Sequence, residues 1–205
     1  MAGPLHHPDA AEGVEPDDLY AGPPPWDIGR PQPAFLALAK AGAFRGRVLD
    51  VGCGTGEHVL MCADLGLEAT GVDLASKAVH TAELKAREQR GTARFLRWNA
   101  LELTDLRETF DTVLDCGLFH ALGGADRSTY IDNLRAVIKP GGRYFMLCFS
   151  DRQPGEWGRV HGLKSTEFED AFTGGWRIDS IEPSTIDITT DPDGIRAWLV
   201  ALTRI

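Results

Sequence analysis

The residues able to do chemistry cluster around one glycine turn. Gly52, Gly54 and Gly56 alternate with Cys53 and Thr55 directly after an apolar run of Val48, Leu49 and Val51. Glu57 then opens a helical pattern through Val59, Leu60, Ala63 and Leu65. A strand, a glycine turn and a helix N-terminus together make a nucleotide-type pocket. Glycine reaches backbone angles that other residues avoid, and its missing Cβ lets a ligand approach. The pattern is G-x-G-x-G, and Glu57 stands where a dinucleotide fingerprint has its third glycine. Asp50 closes the strand. An acid there suits a ligand bearing an ammonium group and repels a pyrophosphate.

A second acid lies at a telling distance. Ala69-Thr70-Gly71-Val72 reads as the next strand and ends in Asp73, 21 residues past Gly52. An acid about 20 residues beyond the turn, at the tip of the second strand, can take both ribose hydroxyls. The plainer alternative is a helix cap, for which Ser76 is better placed, directly before the helical run 77–90. Asn99 and Ala100 end the third strand. Asp115 and Cys116 end the fourth, and Phe119 and His120 follow at once. In an open α/β sheet the carboxyl ends of such strands face the ligand.

S-adenosylmethionine (SAM) fits these features, because it carries an amine, a carboxylate and a sulfonium but no phosphate. Leu49-Asp50-Val51-Gly52-Cys53-Gly54-Thr55-Gly56 resembles motif I of the class I SAM-dependent methyltransferases. Pro25-Trp26-Asp27-Ile28-Gly29-Arg30, with Phe110-Asp111 to Phe119-His120, is similar to the thiol, halide and thiopurine methyltransferase group. It is also similar to related bacterial quinone and phenol methyltransferases. The resemblance implies a Rossmann-like, seven-stranded, mostly parallel sheet with helices on both faces and a C-terminal antiparallel strand pair. It implies that the Trp26–Arg30 segment folds over SAM. The cofactor contacts expected on this basis are Trp26, Arg30, Asp50, Gly52, Cys53, Gly54, Thr55, Gly56, Asp73, Leu74, Asn99, Ala100, Asp115 and Cys116. Asn99 stands where the family usually has an acid for the adenine amine. Its amide oxygen can accept the same hydrogen bond, or cap the next short helix. Trp26 either contacts SAM or staples a proline-rich loop. Arg30 either bonds the SAM carboxylate or pairs with an acid.

The acceptor side is read from Phe119, His120, Phe149, Arg152 and Trp157, with His161 nearby. His120 is the candidate general base for a phenol or hydroquinone, its alternative being a satisfied pocket or core histidine. A thiol or halide needs no strong base.

The elements that position these residues alternate. Strands are expected at 47–51, 68–72, 93–98, 110–115 and 143–149, and helices at about 34–41, 57–65, 77–90 and 128–138. Such βαβ units imply a parallel sheet covered on both faces. Thr166-x-x-Glu169 reads as a capping box. Trp176–Ile188 and Ala197–Ile205 read as two strands, with Asp191-Pro192-Asp193-Gly194 between them. Residues 1–18, including His6 and His7, read as a mobile tail. Residues 19–205 read as one domain whose cap spans about 19–42.

The chain has 205 residues, 43% hydrophobic and 25% charged, with a formal net charge of −9. The acidic balance argues against nucleic acid as a partner. No apolar run spans a membrane, and the N-terminus lacks a signal-peptide pattern. Cys53, Cys62, Cys116 and Cys148 have no metal-ligand spacing and read as reduced thiols of a cytoplasmic protein. The expected partner is a small-molecule acceptor, with the chain a monomer or homodimer. The alternatives are a nucleic-acid or protein methyltransferase and a non-catalytic SAM-binding module. Base methyltransferases usually carry Asn/Asp-Pro-Pro-Tyr/Phe after strand four, where this chain has Asp115-Cys116-Gly117-Leu118.

Overall fold

The computed structural model describes residues 15–89, 91–154 and 162–205. Seven strands form one sheet: β1 (Arg47–Val51), β2 (Glu68–Asp73), β3 (Arg94–Arg97), β4 (Phe110–Cys116), β5 (Ile138–Phe149), β6 (Trp176–Ile188) and β7 (Asp191–Arg204). Their order is β3-β2-β1-β4-β5-β7-β6. The first five run parallel, and β7 lies antiparallel between β5 and β6. This is the Rossmann-like architecture expected from the sequence. The chain winds outward from β1 to β3, then crosses back to β4. The carboxyl ends of β1 and β4 therefore flank a crevice, with Val51 beside Asp115.

Helices α1 (Pro33–Lys40), α2 (Glu57–Asp64), α3 (Ser76–Glu88), α4 (Gly124–Val137) and α5 (Ser165–Ala171) accompany the sheet. Alternation along β5 splits the core in two. Phe145 and Leu147 face a cluster with Phe35 and Phe44, while Tyr144, Met146 and Cys148 face Phe119, Tyr130, Phe168 and Phe172. Each fully buried aromatic of this kind contributes about 1.5–3 kcal/mol of burial free energy.

Local details differ from the expectations for physical reasons. Helix α4 starts at Gly124, four residues early, and β5 begins at Ile138 rather than 143. The Pro140-Gly141-Gly142 segment bends within β5, and pairing to β4 resumes at Arg143. Asp191-Pro192-Asp193-Gly194 is not the hairpin turn. Ile188 pairs with Asp191, so Thr189-Thr190 turns the chain, and the Pro-Asp-Gly stretch is an irregularity in β7 opposite Asp187. The expected Thr166–Glu169 box is displaced: Glu167 Oε1 accepts from the Lys164 N–H at 2.8 Å. Ser76 is not the N-cap of α3, which is Ala75. Instead Asp17 accepts from Ser76 Oγ at 2.5 Å and from the Lys77 N–H at 2.9 Å. Pro16–Tyr20 forms a 3-10 turn, so Pro16, Asp17 and Asp18 are docked structure rather than tail. His6 and His7 lie outside the described residues.

Candidate functional site

A cavity of about 650 Å³ opens at the carboxyl ends of β1, β2 and β4. Its floor is the glycine turn, its roof the segment from Pro16 to Gln32. One wall is the β6–β7 hairpin through Ile186, Ile188 and Ile195, and the far end is Cys116, Gly117, Leu118, His120, Ala121 and Leu122 with Phe149.

All three turn glycines have positive φ: 71° at Gly52, 52° at Gly54 and 93° at Gly56. What a Cβ would meet differs among them. At Gly56 it would lie 2.8 Å from the Phe95 ring and 2.9 Å from Ala82, so this glycine serves helix–sheet packing more than ligand approach. At Gly54 it would meet the Tyr20 hydroxyl at 3.0 Å. Gly54 does not line the cavity; its N–H donates to Asp73 Oδ2 at 2.8 Å. Asp73 Oδ1 accepts from the Ala75 N–H, also at 2.8 Å. Burial raises the Asp73 pKa, and these amides pull it back down.

Asp50 is buried, and neither carboxylate oxygen has a hydrogen-bond partner among the described residues. It does not line the cavity as expected, but lies behind Gly52 and His58, which do. His58 Nδ1 stands 3.6 Å from Asp50 Oδ2, while His58 Nε2 accepts from the Gln32 N–H at 3.2 Å. A buried carboxylate without hydrogen bonds is costly, and a cation in the adjoining cavity offsets that cost.

The roof is tied to the hairpin wall. Arg30 pairs with Asp187 at 2.7 Å, and the Thr189 N–H donates to the Pro25 carbonyl at 2.8 Å. Gln32 bonds both backbone groups of Asp187. Tyr20 packs edge-on against Trp26, and Trp26 Nε1 donates to its hydroxyl at 3.4 Å. Burial and the nearby Asp73 charge push the Tyr20 hydroxyl pKa up, so it stays neutral.

At the far end, His120 stacks on Phe149 with ring centroids 4.1 Å apart, and its Nδ1 accepts from the Phe149 N–H at 3.2 Å. The neutral ring therefore carries its proton on Nε2. That tautomer is a hydrogen-bond donor and has no free nitrogen to act as the expected base.

The chain matches the family model described as a methyltransferase domain over residues 48–142. It is 32% identical over 176 residues to a 2-heptyl-1-hydroxyquinolin-4(1H)-one methyltransferase of Mycobacteroides abscessus, covering 85% of this chain and 77% of that protein. The chain belongs to the class I SAM-dependent methyltransferases. A structure described under the conversion of a disulfide bond into a thioacetal group during echinomycin biosynthesis superposes with a TM-score of 0.83. It is 37% identical, over 92% of this chain and 91% of that one. Magnesium protoporphyrin IX methyltransferase from Synechocystis PCC 6803, with SAM bound, shares the fold at a TM-score of 0.66 and 20% identity, over 84% of this chain and 76% of that one. The protein is thus a SAM-dependent enzyme, and its cavity suits SAM. The Asp50 carboxylate, which accepts no hydrogen bond among the described residues, adjoins it, the Asp73 carboxylate lines it, and no lysine lines it among the described residues.

Of the site residues expected in this methyltransferase, Trp26, Arg30, Gly52, Cys53, Thr55, Gly56, Asp73, Leu74, Asn99, Ala100, Cys116, His120 and Phe149 line the cavity. Asn99 also caps the turn after β3, its Oδ1 accepting from the Leu101 N–H at 3.0 Å. Besides Asp50 and Gly54, three others do not line it. Asp115 is buried, where Tyr130, Tyr144 and two backbone amides surround it. Phe119 points into the core against Tyr130, Phe168 and Phe172. Arg152 stacks over Trp198 at 3.9 Å and bonds Ser150 Oγ and the Ala197 carbonyl. Trp157 and His161 lie outside the described residues. Tyr20, Gln32, His58 and the three hairpin isoleucines line the cavity without having been expected there. The Arg30-Pro31-Gln32-Pro33 run was a local signal for Gln32. The isoleucines had none, since only the hairpin's return brings them across.

Burial raises the pKa of every cysteine thiol, that of Cys62 to about 12, so none is an activated nucleophile. No group of three His, Cys, Asp or Glu side chains among the described residues could hold a metal, and no helix among them is long and apolar enough to cross a membrane.

Proposed function

We propose that this enzyme methylates an apolar small molecule at oxygen or sulfur. The reading rests on one observation. A single cavity runs from Asp73 to His120, and apolar side chains line its far end, through Leu118, Leu122 and Phe149, and its hairpin wall, through Ile186, Ile188 and Ile195. The one arginine lining it among the described residues, Arg30, is committed to Asp187, while Asp27 and Asp126 line it without an ion pair among those residues. Such a lining suits a neutral apolar acceptor and disfavours a small anion such as a halide.

SAM, when bound, supplies a methyl group on a sulfonium, which already has a good leaving group. The chain supplies orientation and a dry site. Asp73 takes the ribose hydroxyls, and Leu74, Asn99 and Ala100 hold the adenine side. Gly52, Cys53, Thr55 and Cys116 lie along the methionine half, with the Asp50 charge favouring the ammonium. Arg30 fastens the roof instead of reaching the SAM carboxylate. The His120 Nε2–H donates to an acceptor oxygen beside the nucleophile and aligns it; as His120 does not act as a base, the nucleophile's own proton passes to water at the mouth of the cavity as the methylated product leaves. Two relatives support this class of acceptor: one is named for a hydroxylated quinolone, the other described with a disulfide-to-thioacetal conversion.

The test is methyl transfer from labelled SAM to a panel of hydroxylated heteroaromatics, hydrophobic thiols and disulfides, and halides, with the product position read by mass spectrometry. Labelled product from the apolar members supports the reading. Transfer confined to halides, or to protein or nucleic acid, overturns it.

A further inference from the structure

We propose that Asp115, Tyr130 and Tyr144, none of which lines the cavity, act together as a positioning device that sets the place of His120. The proposal rests on the reading of His120 as the donor facing the acceptor.

The argument begins with how the Asp115 carboxylate divides its bonds. Oδ2 accepts from the hydroxyls of Tyr130 on α4 and Tyr144 on β5, each at 2.9 Å. Oδ1 accepts from the Leu118 N–H at 2.9 Å and the Phe119 N–H at 3.3 Å. One oxygen is thus moored to two core elements. The other grips the two residues immediately before His120, at the start of the 3-10 turn Phe119–Ala121. From the opposite side the Phe149 N–H and ring, at the end of β5, fix the imidazole. His120 is held between these two grips.

A purely structural role explains this poorly. All three side chains are essentially fully buried among Phe119, Leu134, Met146 and Phe172. Removing a carboxylate from water is expensive, and a packed apolar trio would fill the same space with no such penalty. What apolar groups cannot do is direct two successive backbone amides toward one point. Gly117, with φ 92°, makes the sharp exit from β4 that brings Leu118 and Phe119 back over the carboxylate.

Protonation offers a handle on the device. Burial lifts the Asp115 pKa to about 6, against the downward pull of Tyr144, Leu118, Tyr130 and Phe119. The other titratable groups facing the trio are Cys116 on the same strand as Asp115, Cys148 on β5 and Asp50 on β1, which acts on Tyr130 and Cys116, with Arg127 of α4 and Glu167 of α5 acting on Cys148. Deleting one tyrosine hydroxyl removes a bond to the carboxylate and raises its pKa further. A neutral carboxyl also grips the Leu118 and Phe119 amides more weakly.

The test compares the wild-type enzyme with Tyr130→Phe, Tyr144→Phe and Asp115→Asn, each checked for folding by circular dichroism. The first readout is the ¹⁵N spectrum of His120 in the S-adenosylhomocysteine complex, assigned with His120→Gln. The second is kcat and KM against pH. Expected are a wild-type Nε2–H signature and an acid limb of kcat that moves up by roughly half to one pH unit in the tyrosine variants. The KM for SAM should stay within about twofold, and the His120 signature should shift toward mixed tautomers. If Asp115→Asn does not fold, the two tyrosine variants carry the test alone. Folded tyrosine variants with an unmoved acid limb and an unchanged His120 spectrum would overturn the proposal. An unchanged kcat in His120→Ala would instead overturn the acceptor-side reading of His120, leaving the spectrum to judge the trio separately.

Discussion

The carboxamide of Gln32 makes both backbone hydrogen bonds of Asp187: Nε2 donates to the carbonyl at 3.0 Å, and Oε1 accepts from the N–H at 2.8 Å. This side chain thereby behaves like a neighbouring strand and fastens the roof of the cavity to β6. The Gln32 backbone N–H donates to His58 Nε2, and His58 stands beside Asp50. Roof, hairpin and cofactor floor meet at this residue.

Gln32→Ala leaves the Asp187 backbone pair without these partners, at a cost of about 1–3 kcal/mol. The roof should loosen and SAM affinity fall on the order of tenfold, as measured by isothermal titration calorimetry. Unchanged affinity in a folded variant would show that the roof does not hold the cofactor.

Asp73→Ala removes the carboxylate proposed for the ribose and also strands the Gly54 and Ala75 amides. Charge-assisted hydrogen bonds of this kind carry roughly 1.5–3 kcal/mol, so SAM binding should weaken about 10- to 100-fold. Asp73→Asn, which keeps one accepting oxygen, should fall between the two in calorimetry. Equal affinity in all three proteins would move the ribose elsewhere.

Asp115 gives stability a definite pH slope. Its folded pKa, about 6, lies above the ordinary value of 3.8. Its contribution is therefore fully present below the unfolded value and lost as pH rises through about 6. Urea denaturation should show wild type losing roughly 2–3 kcal/mol relative to Asp115→Asn between pH 4 and pH 7. The opposite slope would mean that the buried carboxylate is stabilised by its four donors rather than strained by burial. Activity is expected to move the other way, declining as Asp115 protonates.

What the sequence revealed, and what it did not, follows from range. The glycine turn, Asp50 and Asp73 form a local pattern, because one strand, one turn and one helix must occupy a contiguous stretch. The parallel direction of the first five strands followed from the βαβ alternation, while their order, with β4 crossing back beside β1, did not. The roof was half legible. Trp26 and Arg30 stood out by type, but the partner of Arg30 lies 157 residues away. Asp17 escaped because its proline-rich, acidic surroundings read as tail, whereas its carboxylate meets the start of α3 only after folding. Phe119 was misassigned by a single step of direction: it and His120 are neighbours in a 3-10 turn and face opposite sides, core and cavity. Asp115 had the right location at the strand end but points into the core, where two tyrosines from other elements meet it.

The most direct measurement is the rate of S-adenosylhomocysteine formation with two acceptors: an apolar hydroxylated heteroaromatic and iodide. The cavity described here predicts a kcat/KM for the heteroaromatic at least about 100-fold higher, roughly 2.7 kcal/mol in transition-state binding. It also predicts that His120→Ala lowers this preference. Equal turnover of the two acceptors, or a preference for iodide, would contradict the assignment of the apolar far end to the methyl acceptor.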